Sequence, residues 1–119
     1  MGNLDGWIGG IATVSYLLSF AALDRLISIE HLEYPVAWEG DGQPRGFFDF
    51  TLPIDGTEHI VDSVFAGWRV AFSWLFRTPL WLAESASGQR LLTLYRAGIL
   101  AANALLIGAA VYSATFASR

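Results

Sequence analysis

Two apolar segments without a single charged residue constrain this chain more than any other feature. The first runs from Gly6 to Leu23 and the second from Ala97 to Ala117. Each has a length within the range of roughly 17 to 25 residues that a transmembrane helix needs. The sequence therefore predicts an integral membrane protein, in which lipid covers apolar surface that so short a chain cannot bury.

Composition agrees with this prediction and excludes several classes of function. Hydrophobic residues make up 54% of the 119 residues and charged residues only 15%, which is too apolar for a disordered chain or an ordinary soluble domain. All seven basic residues are Arg and the net charge is -4, so no basic face is available for nucleic acid. The absence of Cys excludes disulfides and thiolate chemistry. No metalloprotease, nucleophile-elbow or phosphate-loop motif is present, and we predict that the chain is not an enzyme.

The predicted fold is all-α, a single integral membrane domain with three transmembrane helices. We expect these helices at about residues 6–24, 59–77 and 89–117. Thr78-Pro79 should end the second helix, because the residue before a proline is disfavoured in the α conformation. A short helix is expected through the LWLAES motif in the connector, residues 78–88.

The middle segment, residues 59–77, can also be interpreted as a helix that lies on the membrane surface. A spanning helix would bury Arg69 at a cost of at least roughly 2.5 to 3.5 kcal/mol unless protein, a cofactor or water faces it. The polar stripe of this helix is narrow, which favours spanning; the alternative fold has two spans plus an interfacial amphipathic helix. The stripe residues recur at intervals of 4, 3, 4 and 4: Asp62, Ala66, Arg69, Ser73 and Arg77.

An acidic extramembrane loop is predicted at residues 25–58, because eight of the eleven acidic residues lie in it or directly before it. Within it, residues 46–52 (GFFDFTL) alternate with the period of a half-buried strand. This pattern predicts a short β-hairpin-like segment, with Trp38 as the partner across the turn. Alternatively, these aromatic side chains lie at the level of the lipid headgroups.

Small residues form a stripe at helical spacing on the last helix and a shorter stripe on the first. Helices associate in lipid through close packing, so each stripe predicts a seam at which another helix docks. The alternative is that the stripes reflect the ordinary composition of membrane helices. The seam residues are Ala97, Ala101, Ala104, Gly108 and Thr115 on the last helix, and Gly6, Gly10 and Thr13 on the first.

Three polar residues, Arg69, Asp62 and Asn103, are predicted to make contacts inside the membrane. Arg69 and Asp62 are seven residues apart, about 10 Å along a helix, which is too far for a direct ion pair. Each therefore needs its own partner: a proton or anion path, a lipid or cofactor acid group, or a group on a neighbouring subunit, which we favour. Asn103 is expected to hydrogen-bond between helices.

Two histidines, His31 and His59, are weak candidates for metal or haem ligation, because the three-span fold places them on the same membrane face. A catalytic zinc ordinarily has three protein ligands, and a run such as IEHLE is more typical of a solvated helix end. We therefore predict no metal site and no cofactor of the chain's own. A lipid or pigment bound at a subunit interface is compatible with the sequence.

Aromatic and cationic side chains near the helix ends are expected to anchor the chain at the membrane interfaces. The arginine counts on the two sides of a three-span fold are equal, and we place the acidic loop on the periplasmic or equivalent side. The predicted anchors are Trp7, Trp38, Trp81, Arg77, Arg90 and Arg96.

The favoured functional hypothesis is a non-catalytic accessory subunit of a larger membrane protein complex. A respiratory or photosynthetic complex of a bacterial or organellar inner membrane is the expected host, and its other membrane subunits are the expected partners. One alternative is a small homo-oligomeric transporter or channel that uses Arg69 and Asp62. Another is a haem- or quinone-handling redox subunit that uses His31 and His59.

Overall fold

The structure, a computed structural model, describes residues 2–48 and 60–117, and this part of the chain is helical with no strand. Five helical elements follow one another along it. They are α1 (Gly2–Glu33), α2 (Pro35–Gly40), α3 (Ile60–Phe76), a 3-10 helix (Leu80–Glu84) and α4 (Ala86–Ala117).

The two long helices, α1 and α4, pack side by side in antiparallel directions. Tyr16 Oη on α1 donates a hydrogen bond to Asn103 Oδ1 on α4 at 2.8 Å. A few residues earlier on α4, Gly98 faces Ser15 and Ser19 of α1 so closely that a Cβ atom at Gly98 would overlap Ser19 Oγ and lie 3.1 Å from the Ser15 carbonyl oxygen. The missing side chain of Gly98 therefore allows the two backbones to approach.

This pairing places the two charge-free segments beside each other. Residues 6–23 of α1 and 97–116 of α4 form an end without charged side chains, which we call the uncharged hairpin. Asp24 and Arg96 are the first charged residues beyond it on the side of the remaining described residues, and Asp5 directly precedes it in the sequence. Two helices are long and apolar enough to cross a membrane, over Gly6–Glu33 and Ala86–Phe116, and the uncharged hairpin alone supplies about the 30 Å that the hydrocarbon core requires.

The remaining described residues, 24–48 and 60–96, pack together at the charged end and form what we call the helical cap. Tyr95 of α4 donates a hydrogen bond from its hydroxyl to the Ala71 carbonyl oxygen of α3. Arg96 Nε donates to the Trp74 carbonyl oxygen at 2.8 Å. The apolar core of the cap continues into the hairpin at Leu23 and comprises Leu26, Ile27, Trp38, Val70, Ala71, Trp74, Trp81, Leu82, Leu92 and Tyr95.

Helix α3 contacts the loop after α2 through a face of small residues. The backbone N–H of Arg45 donates to the Ser63 carbonyl oxygen at 3.3 Å. A Cβ atom at Gly67 would lie 2.5 Å from the Arg45 carbonyl oxygen, so glycine is needed for this approach. Ala66, next to Gly67, is also buried. Small side chains thus bring the backbone of α3 directly against the loop.

The expectation of three spanning helices is not supported, because only α1 and α4 have the required length and composition in the described part of the chain. Helix α3 has 17 residues and contacts α4 at Tyr95 and Arg96 and the loop after α2 at Arg45. Its polar residues Asp62 and Arg69 are exposed. Burial of a small-residue face against the loop determines where α3 lies, and this contact was not apparent from the spacing of its polar residues.

The predicted β-hairpin-like segment is not supported either. Trp38, its expected partner residue, lies in α2, which begins with Pro35 in its first turn. Trp38 Nε1 donates to the Pro44 carbonyl oxygen at 3.1 Å, so a compact turn replaces strand pairing. Gly42 and Gln43 have φ values of 89° and 54°, which end the helix. Residues 49–52 of the predicted strand lie outside the described residues.

The close approach at Gly98 predicts a large cost for a side chain there. We expect Gly98→Val to lower the free energy of unfolding by about 1 to 3 kcal/mol through overpacking. Gly9→Val is the matched control, because a Cβ atom at Gly9 meets nothing within 4 Å and the helix-propensity change is the same. Thermal unfolding of both variants in detergent, followed by circular dichroism, measures the difference. Equal losses at the two positions would contradict the packing described here.

Candidate functional site

A fully buried carboxyl group, that of Glu30, lies at the junction of α1, α2 and the 3-10 helix. Its side chain has 0% exposure, although it is only three residues from the end of α1. Trp81 Nε1 donates a hydrogen bond to Glu30 Oε2 at 2.8 Å. Among the described residues, no donor reaches Glu30 Oε1. One carboxyl oxygen is therefore satisfied and the other is not.

The pKa of Glu30 is raised to about 9, first by burial and then by hydrogen-bonding and charge interactions with the Asp41 carboxyl group, while the Trp81 hydrogen bond acts in the opposite direction. Glu30 lies seven residues beyond Leu23, outside the uncharged hairpin. At neutral pH the Glu30 carboxyl group is therefore protonated.

A cavity of about 640 Å³ opens on the cap beside Glu30 and Asp41, between α2, the end of α3 and the 3-10 helix. Its wall combines one carboxylate, Asp41, and one guanidinium, Arg77, with two hydroxyl groups and two indole rings. Such a mixture suits a ligand that has both charged and apolar parts. The lining residues are Ala37, Gly40, Asp41, Ser73, Trp74, Arg77, Thr78, Pro79, Leu80 and Trp81.

A second buried carboxylate, Asp24, holds the loop after α2. Its two oxygens accept hydrogen bonds from the backbone N–H groups of Phe47 and Phe48, each at 2.6 Å. A Cβ atom at Gly46 would lie 2.9 Å from the Asp24 carboxyl carbon. Asp24 therefore has a structural role: it fixes the loop on which α3 packs.

The polar residues predicted to lie inside the membrane are in two different places. Arg69 and Asp62 are exposed on α3 in the cap, and no ion pair joins them within the described ranges. The need for partners outside the chain stays a prediction. Asn103 lies within the uncharged hairpin, accepts the Tyr16 hydrogen bond and donates from Nδ2 to the Ile99 carbonyl oxygen at 2.8 Å, so it links α4 to α1.

The predicted seam residues are all exposed where the structure describes their side chains, and they face away from the contact between α1 and α4. On α4 it is Gly98 and Asn103 that contact α1, and Ile99 and Ala102 are the buried residues near them. A Cβ atom at Gly6, Gly10 or Gly108 would meet nothing within 4 Å. The exposed seam residues are Ala97, Ala101, Ala104, Gly108 and Thr115 on α4, and Gly6, Gly10 and Thr13 on α1.

The predicted interfacial anchors fall into two groups. Trp7, Arg77 and Arg90 are exposed, as an anchor must be. Trp38 and Trp81 are 5% and 8% exposed and lie in the core of the cap, with their indole N–H groups hydrogen-bonded. Partly buried Arg96 binds the Trp74 carbonyl oxygen and donates from Nη2 to Thr78 Oγ1 at 3.2 Å.

Of the two histidines, only His31 is described; His59 lies outside the described residues. The His31 ring packs edge-on against Trp38 with ring centroids 4.3 Å apart. No group of three or more His, Cys, Asp or Glu side chains that could hold a metal ion occurs within residues 2–48 and 60–117.

The sequence interpretation missed Glu30, Asp41 and Asp24. The signal for Glu30 was its position, because it recurs at helical spacing with Leu23, Leu26 and Ile27, all fully buried. An acidic residue on the apolar face of a helix indicates a buried group with partners. The interactions of Asp41 and Asp24 depend on the path of the loop, for which no pattern in the sequence gives a signal.

Comparison of the chain with protein-family models, with curated proteins and with solved structures found no match.

The two hydrogen bonds accepted by Asp24 predict a cost for Asp24→Asn, because an amide N–H₂ group would then face a backbone N–H donor. We expect a loss of about 1.5 to 3 kcal/mol in the free energy of unfolding, the range for hydrogen bonds to charged groups. Asp62→Asn is the control, since Asp62 is exposed. Chemical denaturation followed by tryptophan fluorescence measures the free energy of unfolding of both variants. An equal loss in Asp62→Asn would refute the structural role of Asp24.

The raised pKa of Glu30 predicts stability that falls as pH rises. The native state keeps a proton that the unfolded state releases near pH 4.5, so the stabilisation is complete below that pH and is lost toward about pH 9. Between these two pH values the free energy of unfolding falls by up to about 1.4 kcal/mol per pH unit. Glu30→Gln, which stays neutral, should flatten the dependence of melting temperature on pH between 5 and 9, whereas exposed Glu33→Gln should not. An unchanged slope in Glu30→Gln would disprove the assignment.

Proposed function

We propose that this chain is a membrane-anchored, non-catalytic accessory subunit that docks against other membrane subunits through the outward face of its uncharged hairpin. The observation that carries this proposal is the direction of the two small-residue seams. They lie on the sides of α1 and α4 that face away from each other, and their residues are exposed in the part of the chain that the structure describes.

Small residues on the outward faces favour a protein partner over lipid alone. In a bilayer, helices associate because small side chains let their backbones approach and form many van der Waals contacts. Within the hairpin, α1 and α4 already make such an approach at Gly98, opposite Ser19. The outward positions Gly10, Ala104 and Gly108 offer a comparable surface without a partner in the chain.

The uncharged hairpin also supports an orientation. If α1 and α4 are the two spans, residues 24–96 all lie on one side of the membrane. Six of the seven arginines fall in this range. Arginine-rich segments near membrane spans are retained on the cytoplasmic side. We therefore propose that the helical cap faces the cytoplasm or its organellar equivalent. This orientation replaces the periplasmic placement of the acidic loop that we expected for a three-span fold.

Helix α3 is proposed to lie at the headgroup level, as in the alternative fold with an interfacial helix. The Trp68 ring packs edge-on to Phe20, with centroids 6.4 Å apart, and Phe20 belongs to the uncharged hairpin. An exposed apolar stripe on α3 is thus continuous with the proposed membrane surface, which suits an amphipathic helix in the interface. The stripe consists of Val61, Phe65, Trp68, Phe72 and Phe76.

We extend the proposal to an energy-transducing complex, respiratory or photosynthetic, as the host. The subunit role is favoured over a transporter, because Arg69 and Asp62 are exposed outside the uncharged hairpin, where they would not line a path through the hydrocarbon core. No observation in the described residues favours a haem- or quinone-handling role.

Docking through the α4 seam predicts that Ala104→Leu releases the partner. A larger side chain there separates α4 from the helix of the partner without touching α1. We therefore expect at least a tenfold loss of co-purifying protein in mild detergent, with little change in melting temperature. Ala114→Leu is the control, since Ala114 is exposed on α4 outside the seam.

Affinity purification from the native membrane, with mass spectrometry of what is retained, provides the measurement and tests the host class. Recovery of the wild-type chain alone, or equal retention of a partner by both variants, would count decisively against the proposal.

A further inference from the structure

The cavity of about 640 Å³ in the helical cap lies at the level where the uncharged hairpin ends. Thr78 in its wall accepts a hydrogen bond from Arg96 Nη2 at 3.2 Å, and Trp74, also in its wall, accepts one at its carbonyl oxygen from Arg96 Nε. Arg96 directly precedes the charge-free segment of α4. In the proposed membrane arrangement, this wall is therefore at the depth of the lipid headgroups.

The wall offers one group of each charge to a ligand. Arg77 is exposed, and none of the described carboxylates lies within ion-pair distance of its guanidinium group. Asp41 is half-buried, and its carboxyl group interacts with Glu30, whose Oε1 has no donor among the described residues. One part of the wall thus suits an anion, and another suits a group with N–H donors.

The edge of the cavity is strongly apolar. Leu80, one of the lining residues, is 94% exposed, and Phe76, directly before Arg77, is 84% exposed. Isolated exposed side chains are ordinary, but Leu80 lines a polar cavity at the proposed headgroup level, and Phe76 is one residue before the lining residue Arg77. A ligand with a zwitterionic head and apolar tails would match both the wall and the edge.

We propose that this cavity binds the headgroup of a phospholipid that carries a primary amine, an inference that rests on the proposed membrane function. Arg77 binds the phosphate oxygens, because guanidinium and phosphate groups form strong charge-assisted hydrogen bonds. Asp41 accepts hydrogen bonds from the ammonium group, with the Ser73 hydroxyl group beside it. The volume of about 640 Å³ falls in the range of roughly 300 to 1,000 Å³ that is typical of ligand pockets. The acyl chains leave past Leu80 and Phe76.

Native mass spectrometry of the full chain tests the proposal. The chain is released from bilayer discs that contain equal amounts of phosphatidylethanolamine, phosphatidylcholine and phosphatidylglycerol. We expect about tenfold preferential retention of phosphatidylethanolamine. Asp41→Asn should remove the preference over phosphatidylcholine, because only the ammonium group loses its partner. Arg77→Gln should lower retention of all three lipids. Exposed Glu39→Gln and Arg90→Gln are the controls and should leave the preference intact.

Equal retention of the three lipids by the wild-type chain would overturn the proposal, as would unchanged retention of the three lipids by Arg77→Gln. If Asp41→Asn unfolds, the Arg77→Gln result decides, because Arg77 is exposed and its replacement spares the core. Soluble glycerophosphoethanolamine is added as a competitor. Displacement of the lipid at equal concentration would show that the acyl chains contribute nothing and would overturn the lipid assignment.

Failure of this inference is distinguishable from failure of the proposed function. If the lipid preference is absent but the partner complex is still recovered from the native membrane, only the proposal of a headgroup site is refuted. A chain that does not enter the discs at all refutes the membrane arrangement, and both proposals with it.

Discussion

The close approach of α4 to α1 at Gly98 determines how the rest of the molecule is arranged. Once Gly98 lies against Ser15 and Ser19, the register of two antiparallel helices is fixed, and the charge-free part of one is beside that of the other. The charged residues of α1 from Asp24 onward and those of α4 up to Arg96 then lie at the same end of the helix pair. The division into an uncharged hairpin and a helical cap follows from this one contact and the positions of the charges.

The cap depends on two acidic residues that the apolar core by itself does not explain. Asp24 holds the loop after α2 through two backbone N–H groups, and that loop carries the backbone of α3. Glu30 receives the Trp81 indole N–H and so links the end of α1 to the 3-10 helix. Buried polar groups contribute little net stability but fix a particular arrangement when they are satisfied. The cap is therefore positioned by polar contacts and filled by apolar ones.

The sequence predicted the parts of the fold that depend on local chemistry. The two charge-free helices, the helix end at Thr78-Pro79 and the short helix after it at Leu80–Glu84 follow from charge, proline geometry and helical spacing. The position of α3 could not be predicted, because hydropathy does not distinguish an apolar face that meets lipid from one that meets Arg45 and its loop. The cavity was missed for a related reason: Asp41 and Arg77 are distant in sequence and line the same cavity only through tertiary packing.

Exposed apolar surface on the hairpin is not by itself an argument for a partner, because lipid tails cover leucine as well as protein does. Side-chain size distinguishes the two cases. Gly10 and Gly108 leave shallow depressions in the helix surface, with nothing within 4 Å of an added Cβ atom, and mobile acyl chains fill such depressions less completely than a rigid helix. Larger residues at these positions would not disturb the contact between α1 and α4. Small residues on these outward faces therefore support the proposed contact with a helix of a partner.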